Sequence, residues 1–156
     1  MSIEALGMYL NDHLAGSVAA VEMIDQAIED NAGTQLAAGL ARLVADIRED
    51  QDVLRGLLQR LDVGESSLKK AGAWLAEKAG RVQLGRTDKG PLRRLEMLEV
   101  LGLGIQGKLA LWRALQEVAR RHTELAALDF LALERRAREQ HEQVEAYRLA
   151  AVLEAF

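Results

Sequence analysis

The chain has 156 residues and a net charge of −4, long enough for one domain with its own core. It is 49% hydrophobic but only 4% aromatic, and it holds no cysteine, which excludes a disulfide framework, a thiolate zinc site and a cysteine nucleophile. The acidic balance gives no global pull toward nucleic acid, no apolar run approaches a membrane span, and the opening MSIEALGMYLNDHL lacks the basic start and apolar run of a signal peptide, so a cytoplasmic location is expected.

Apolar residues recur at steps of three and four from the start: Ile3, Leu6, Leu10, Leu14, Val18 (or Ser17), Val21, Ile24 and Ile28. That period predicts an amphipathic helix over about 3–31. Asp30-Asn31-Ala32-Gly33 supplies its end, and Thr34 is placed to cap the next helix. The second stripe is Leu36, Leu40, Leu43, Ile47, Leu54, Leu57 and Leu61, giving a helix over about 34–61. A turn this short makes the two helices antiparallel neighbours.

Residues 64–91 differ in texture, with glycines at 64, 72, 80, 85 and 90 and the single proline, Pro91. Leu68, Trp74 and Leu75 anchor a short predicted helix over about 67–79. Between Lys69 and Arg94 there are eight Lys/Arg against the acids Glu77 and Asp88, a local charge of about +6. Pro91 opens a third helix over about 91–121, with the stripe Leu92, Leu95, Leu98, Leu101, Ile105, Leu109, Trp112 and Leu115. Asp129 caps a fourth over about 130–154, with Phe130, Leu133, Ala137, Val144, Tyr147, Ala151 and Phe156. Helices of roughly 25–30 residues are about 40 Å long. The expectation is an all-α, antiparallel four-helix bundle in one domain, 1–156, with a long helix-containing crossover between helices 2 and 3.

Polar residues that interrupt these stripes mark where a site would be. Asp50 lies between Ile47 and Leu54, His141 between Ala137 and Val144, and His13 with Ser17 continues the line of Leu10. Gln106 flanks Ile105, and Glu99 flanks Leu98. All are near mid-helix, which in an antiparallel bundle predicts one polar layer. A buried carboxylate or imidazole must be paired or ligated. The layer therefore reads as a hydrogen-bonded polar layer, as side chains rotated to the stripe edge and solvated, or as a metal or small-ligand site. There is also a faint echo: Arg48-Glu49-Asp50-Gln51-Asp52 against Arg138-Glu139-Gln140-His141-Glu142. It admits a pseudo-repeat of two hairpins or a chance match of two acidic strings.

The helix lengths, the long crossover and the charged clusters on helices 2 and 4 resemble the ferritin-like superfamily, at the level of layout and over nearly the whole chain. The resemblance implies a site built from a Glu on each of two helices and a Glu-x-x-His on each of the other two, suited to iron or manganese. Here no acid stands three residues before any histidine, and position 138 is Arg138. Helix 2 offers Glu49 with Asp46 or Asp52 but no histidine. A complete di-iron centre is therefore not expected. A degenerate metal site drawn from His13, Asp50, His141, Glu49, Glu99 and Glu142 is the rival.

Gly102-Leu103-Gly104-Ile105-Gln106-Gly107 is a literal G-x-G-x-x-G, but no strand precedes it. It predicts close helix–helix approach rather than a dinucleotide site. Gly16 and Gly39 are read the same way. The basic segment, with Lys69, Lys70, Lys78 and Arg81 around Trp74, reads as a cover paired with acidic helices, or as a surface for lipid headgroups or nucleic acid. The expected function is that of a non-enzymatic, prokaryotic, cytoplasmic bundle without a cofactor. It is expected to form a homodimer through the apolar edge residues Met8, Tyr9, Leu103 and Leu149. The alternatives are an iron or manganese redox or storage protein, and an adaptor working through residues 69–94.

Overall fold

A computed structural model of the chain describes residues 2–63 and 90–156. Those residues form four long helices and no strand. They are α1 (Ile3–Asp30), α2 (Gln35–Arg60), α3 (Pro91–Ala119) and α4 (Phe130–Ala155), with one 3₁₀ turn at Thr123–Leu125. The helix expected at 67–79, and Lys69, Lys70, Lys78 and Arg81, lie outside the described residues. The chain divides into two compact units, one holding α1 and α2 and the other α3 and α4. Among the described residues no helix is long and apolar enough to cross a membrane.

In the first unit the turn is built locally. Asn31 Nδ2 donates to the Ala27 carbonyl at 2.8 Å, which satisfies one carbonyl at the end of α1. Gly33 takes φ +82°, a left-handed conformation open to glycine. Thr34 then accepts from the Ala37 N–H at 3.2 Å and donates to the Asn31 carbonyl at 2.7 Å, capping α2. Numbers that rise along α1 fall along α2 in the cross-helix contacts. Gly7 lies against Val63, Ser17 meets Gln51, and Asp25 meets Arg48. The pair therefore runs antiparallel.

Its core is a ladder of Leu6, Leu10, Leu14 and Ile24 from α1 with Leu40, Leu43, Ile47, Leu54, Leu57 and Leu58 from α2, all buried. Each fully buried leucine contributes about 2 kcal/mol. The exposed Asp25–Arg48 bridge, at 2.8 Å, is worth about 0.5 kcal/mol. Leucine burial carries this unit, and the bridge helps to set its register.

The second unit repeats the scheme. Gly90 and Pro91 open α3, where the missing proline N–H costs no intrahelical bond. The Asp129 carboxylate accepts from the Ala132 N–H at 3.0 Å and caps α4. Between the helices Leu125 is fully buried. Cross-helix pairs again fall in number on α4 as they rise on α3: Arg94 with Glu154, Glu99 with Arg148, Lys108 with Gln140, Arg113 with Glu134. Here α3 supplies the bulk, with Leu95, Leu98, Leu101, Ile105, Leu109, Leu111, Trp112 and Leu115 buried. The buried face of α4 is smaller and more polar: Phe130, Glu134, Ala137, Gln140, Val144 and Ala151.

The glycines correct one expectation. A Cβ at Gly104 or Gly107 would meet nothing within 4 Å among the described residues, and one at Gly102 would meet only Val144 Cγ1 at 4.0 Å. Gly104 is exposed. These glycines therefore do not serve close helix approach within the α3–α4 pair. Gly7 does mark a tight place, since a Cβ there would come within 2.5 Å of Val63 Cγ1. Opposite effects follow in thermal or urea denaturation. Gly104→Ala and Gly107→Ala each raise stability by up to about 1 kcal/mol, the helix-propensity difference. Gly7→Val lowers it by about 2 kcal/mol through overpacking, and Val63→Ala in the same background recovers part of the loss.

Candidate functional site

The buried polar residues among those described are Asn11, Asp50, Gln51, Glu134 and Gln140. Only Asp50 belongs to the layer expected from the sequence; it is 3% exposed. Ser17 is half-buried, and its hydroxyl donates to the Leu14 carbonyl at 2.6 Å and accepts from Gln51 Nε2 at 3.1 Å. The polar crossing within the first hairpin is thus Ser17–Gln51. Asp50 occupies the neighbouring flank of α2.

His13 is half-buried and its ring meets Tyr9 edge-on, centroids 4.7 Å apart. With Ser17 opposite Gln51, His13 lies level with residue 55 of α2. That is about five residues, or about 8 Å along the axis, from Asp50. The two do not share one height. Burial holds the His13 imidazole below its ordinary pKa of 6.5, with the Asp12 carboxylate opposing the shift.

In the second hairpin Gln106 is exposed, so it does not join a buried layer. His141 is half-buried and Gln140, one residue earlier, is buried in its place. Lys108 Nζ donates to Gln140 Oε1. Glu99 is exposed and lies 3.6 Å from Arg148, which also holds Glu145 at 2.7 Å and keeps that carboxyl below its usual pKa. Glu49 and Glu142 are exposed. Of the basic residues near the crossover, Arg94 pairs with Glu154.

Sequence reasoning missed the most heavily charged crossing. The Glu134 side chain is 8% exposed, and Oε2 accepts from Arg138 Nη2 at 2.9 Å and Arg113 Nε at 3.2 Å. Two guanidinium groups thus hold one carboxylate that has left water. The signal was present: Glu134 and Arg138 are four apart on one helix, and Glu134 stands three before Ala137 on the apolar stripe. Asn11 is the opposite case. It is fully buried, and neither of its amide atoms has a hydrogen-bond partner among the described residues.

Among the described residues no three His, Asp or Glu side chains gather as a metal-holding group. The buried polar positions hold three amides, the Glu134 carboxylate already engaged by two arginines, and the Asp50 carboxylate, which stands in no such metal-holding group, a donor set that does not fit a di-iron centre. No family model, no curated protein and no solved structure matches the chain.

Two predictions follow from these contacts. Arg113→Met and Arg138→Met each cost up to about 1 kcal/mol alone, since the other arginine remains. Together they cost about 3 kcal/mol, because the buried carboxylate is then stranded. A urea-denaturation cycle reads this excess, and in a Glu134→Leu background the excess disappears. For His13 the folded pKa lies below the unfolded value of 6.5, so the unfolded chain takes up the proton first. This contribution to stability is complete above pH 6.5 and is lost as pH falls through the lowered folded pKa. In His13→Gln the fall in stability between pH 7 and pH 5 becomes shallower, by denaturation at each pH.

Proposed function

We propose that this chain is a non-enzymatic helical scaffold, a ferritin-like four-helix bundle without a complete di-iron centre. The observation that carries this reading is the chemistry of the buried polar positions. Asn11, Gln51 and Gln140 are neutral amides, Glu134 is engaged by Arg113 and Arg138, and Asp50, the fifth, belongs to no group of three His, Asp or Glu side chains among the described residues. Amides are weak ligands for iron or manganese. A carboxylate held by two guanidinium groups must give up both charge-assisted bonds before it can ligate. The absence of any Glu-x-x-His in the sequence points the same way.

The reading includes a homodimer. Met8, Tyr9, Leu103 and Leu149 are exposed, and Leu103 is 73% exposed. Apolar side chains that stay wet on a helix surface favour association.

Metal analysis of protein purified without chelators, before and after loading with ferrous iron and with manganese, tests the proposal. Light scattering on the same preparation reads its mass. The expected result is well under one metal per chain and no effect of His141→Ala or Asp50→Ala on metal content. Stoichiometric iron or manganese that both substitutions abolish would overturn the scaffold reading in favour of a redox or storage protein.

A further inference from the structure

The outer face of α4 carries a charge pattern that is complementary to itself. At about 100° per residue, Leu131, Arg135, Arg138, Glu142, Glu145 and Leu149 fall within about 80° of the helix circumference. Ala137 and Val144 lie on the other side of α4 and are buried. On the outer face Leu131 is 69% exposed and Leu149 52%. Arg135, Arg138 and Glu142 are exposed too, and Glu145 is half-buried. The order along the helix is apolar, basic, acidic, apolar.

That order reverses about position 140. Leu131 and Leu149 stand nine residues to either side of it, Arg135 and Glu145 five, and Arg138 and Glu142 two. A two-fold axis at this height lays a second α4 antiparallel on the first and sets each residue beside its opposite number. Leu131 then meets the partner's Leu149, Arg138 meets the partner's Glu142, and Arg135 comes level with the partner's Glu145. An isologous interface makes every such contact twice. A parallel pairing in register would instead set arginine on arginine and glutamate on glutamate, which opposes it. Arg138 gives Nη2 to Glu134 and keeps other guanidinium N–H groups for a second carboxylate. Glu145 is already held by Arg148, so the pair of Arg138 with the partner's Glu142 is the stronger of the two charged contacts.

We propose that two copies of this chain associate antiparallel through the outer faces of α4, with the two-fold axis at the height of Gln140. The inference rests on the homodimer reading above and names its surface. Met8 and Tyr9 belong to α1 and Leu103 to α3, so of those four residues Leu149 alone lies on this face. Burial of the wet leucines supplies the affinity, and the charges fix orientation and register.

Light scattering on the full chain over a range of concentrations gives the dimer dissociation constant. Glu142→Arg sets a guanidinium against the partner's Arg138, and Leu149→Asp removes an apolar contact. Each raises the constant tenfold or more. Both side chains are exposed, and circular dichroism checks that each variant keeps its helices. Cross-linking reads the orientation. The chain has no cysteine, so Leu131→Cys and Leu149→Cys proteins carry one thiol each. Mixed and treated with a short bis-maleimide, they form a covalent dimer holding one of each. Leu131→Cys alone does not, because its two thiols lie about 27 Å apart along the axis. A dimer whose constant neither Glu142→Arg nor Leu149→Asp changes, or one in which Leu131→Cys links to itself, overturns this surface and leaves the homodimer reading standing. A chain that stays monomeric at every concentration overturns both.

Discussion

Inside a helix the backbone has already used its own donors and acceptors, so a buried polar side chain must find its partner across the helix pair or on its own helix. Both hairpins are organised by this constraint. Gln51 reaches Ser17, which passes the bond to the Leu14 carbonyl. Lys108 reaches Gln140, and Arg113 reaches Glu134. Each crossing joins one residue on the first helix to one residue on the second, and so it penalises a slip in register. Leucine ladders do not discriminate as sharply, since one leucine replaces another after a shift of a turn. The apolar residues supply most of the stability, and the polar crossings choose which alignment receives it.

The two hairpins solve the problem with different chemistry. The first keeps its crossing neutral, an amide to a hydroxyl, between helices rich in leucine. In the second, α3 supplies most of the apolar bulk, and α4 offers mainly alanine, valine and charge on its inner face. The buried carboxylate of Glu134 survives because both arginines approach from the exposed side, where their own desolvation is modest. The long stems of Arg113 and Arg138 keep their charge partly wet while the tip reaches the acid.

The helices were legible in the sequence because a 3.6-residue period, one Pro at a helix start, Thr34 and Asp129 at caps and Gly33 in a turn all pointed to the same boundaries. The polar layer was legible only in part, for a geometric reason. Ile47 and Leu54 are seven apart, and the two positions between them, Asp50 and Gln51, each deviate about 50° from their common direction. The same holds for Gln140 and His141 between Ala137 and Val144. Stripe arithmetic cannot choose between such neighbours. On α2 both are buried; on α4 only Gln140 is. Height along the first helix pair was less legible still, because the turn alone does not set it. The Ser17–Gln51 contact does, and it separates His13 from Asp50. The glycines at 104 and 107 were misread because a missing side chain looks the same in a sequence whether it admits a neighbour or faces open space.

The faint echo between residues 48–52 and 138–142 takes on a physical meaning once the crossings are known. Aligned by their Arg-Glu starts, the two strings put Asp50 opposite Gln140 and Gln51 opposite His141. Yet the amide that crosses its hairpin is Gln51 in one and Gln140 in the other, one position out of step. A copied motif would carry its crossing residue at the same place. What the two hairpins share is instead a requirement: near the middle of a long helix pair, one buried glutamine bridges to a side chain on the opposite helix. Glutamine suits that position because its side chain is long enough to span two helices, neutral enough to be buried, and able both to donate and to accept. The resemblance of the strings therefore needs no common metal site to account for it.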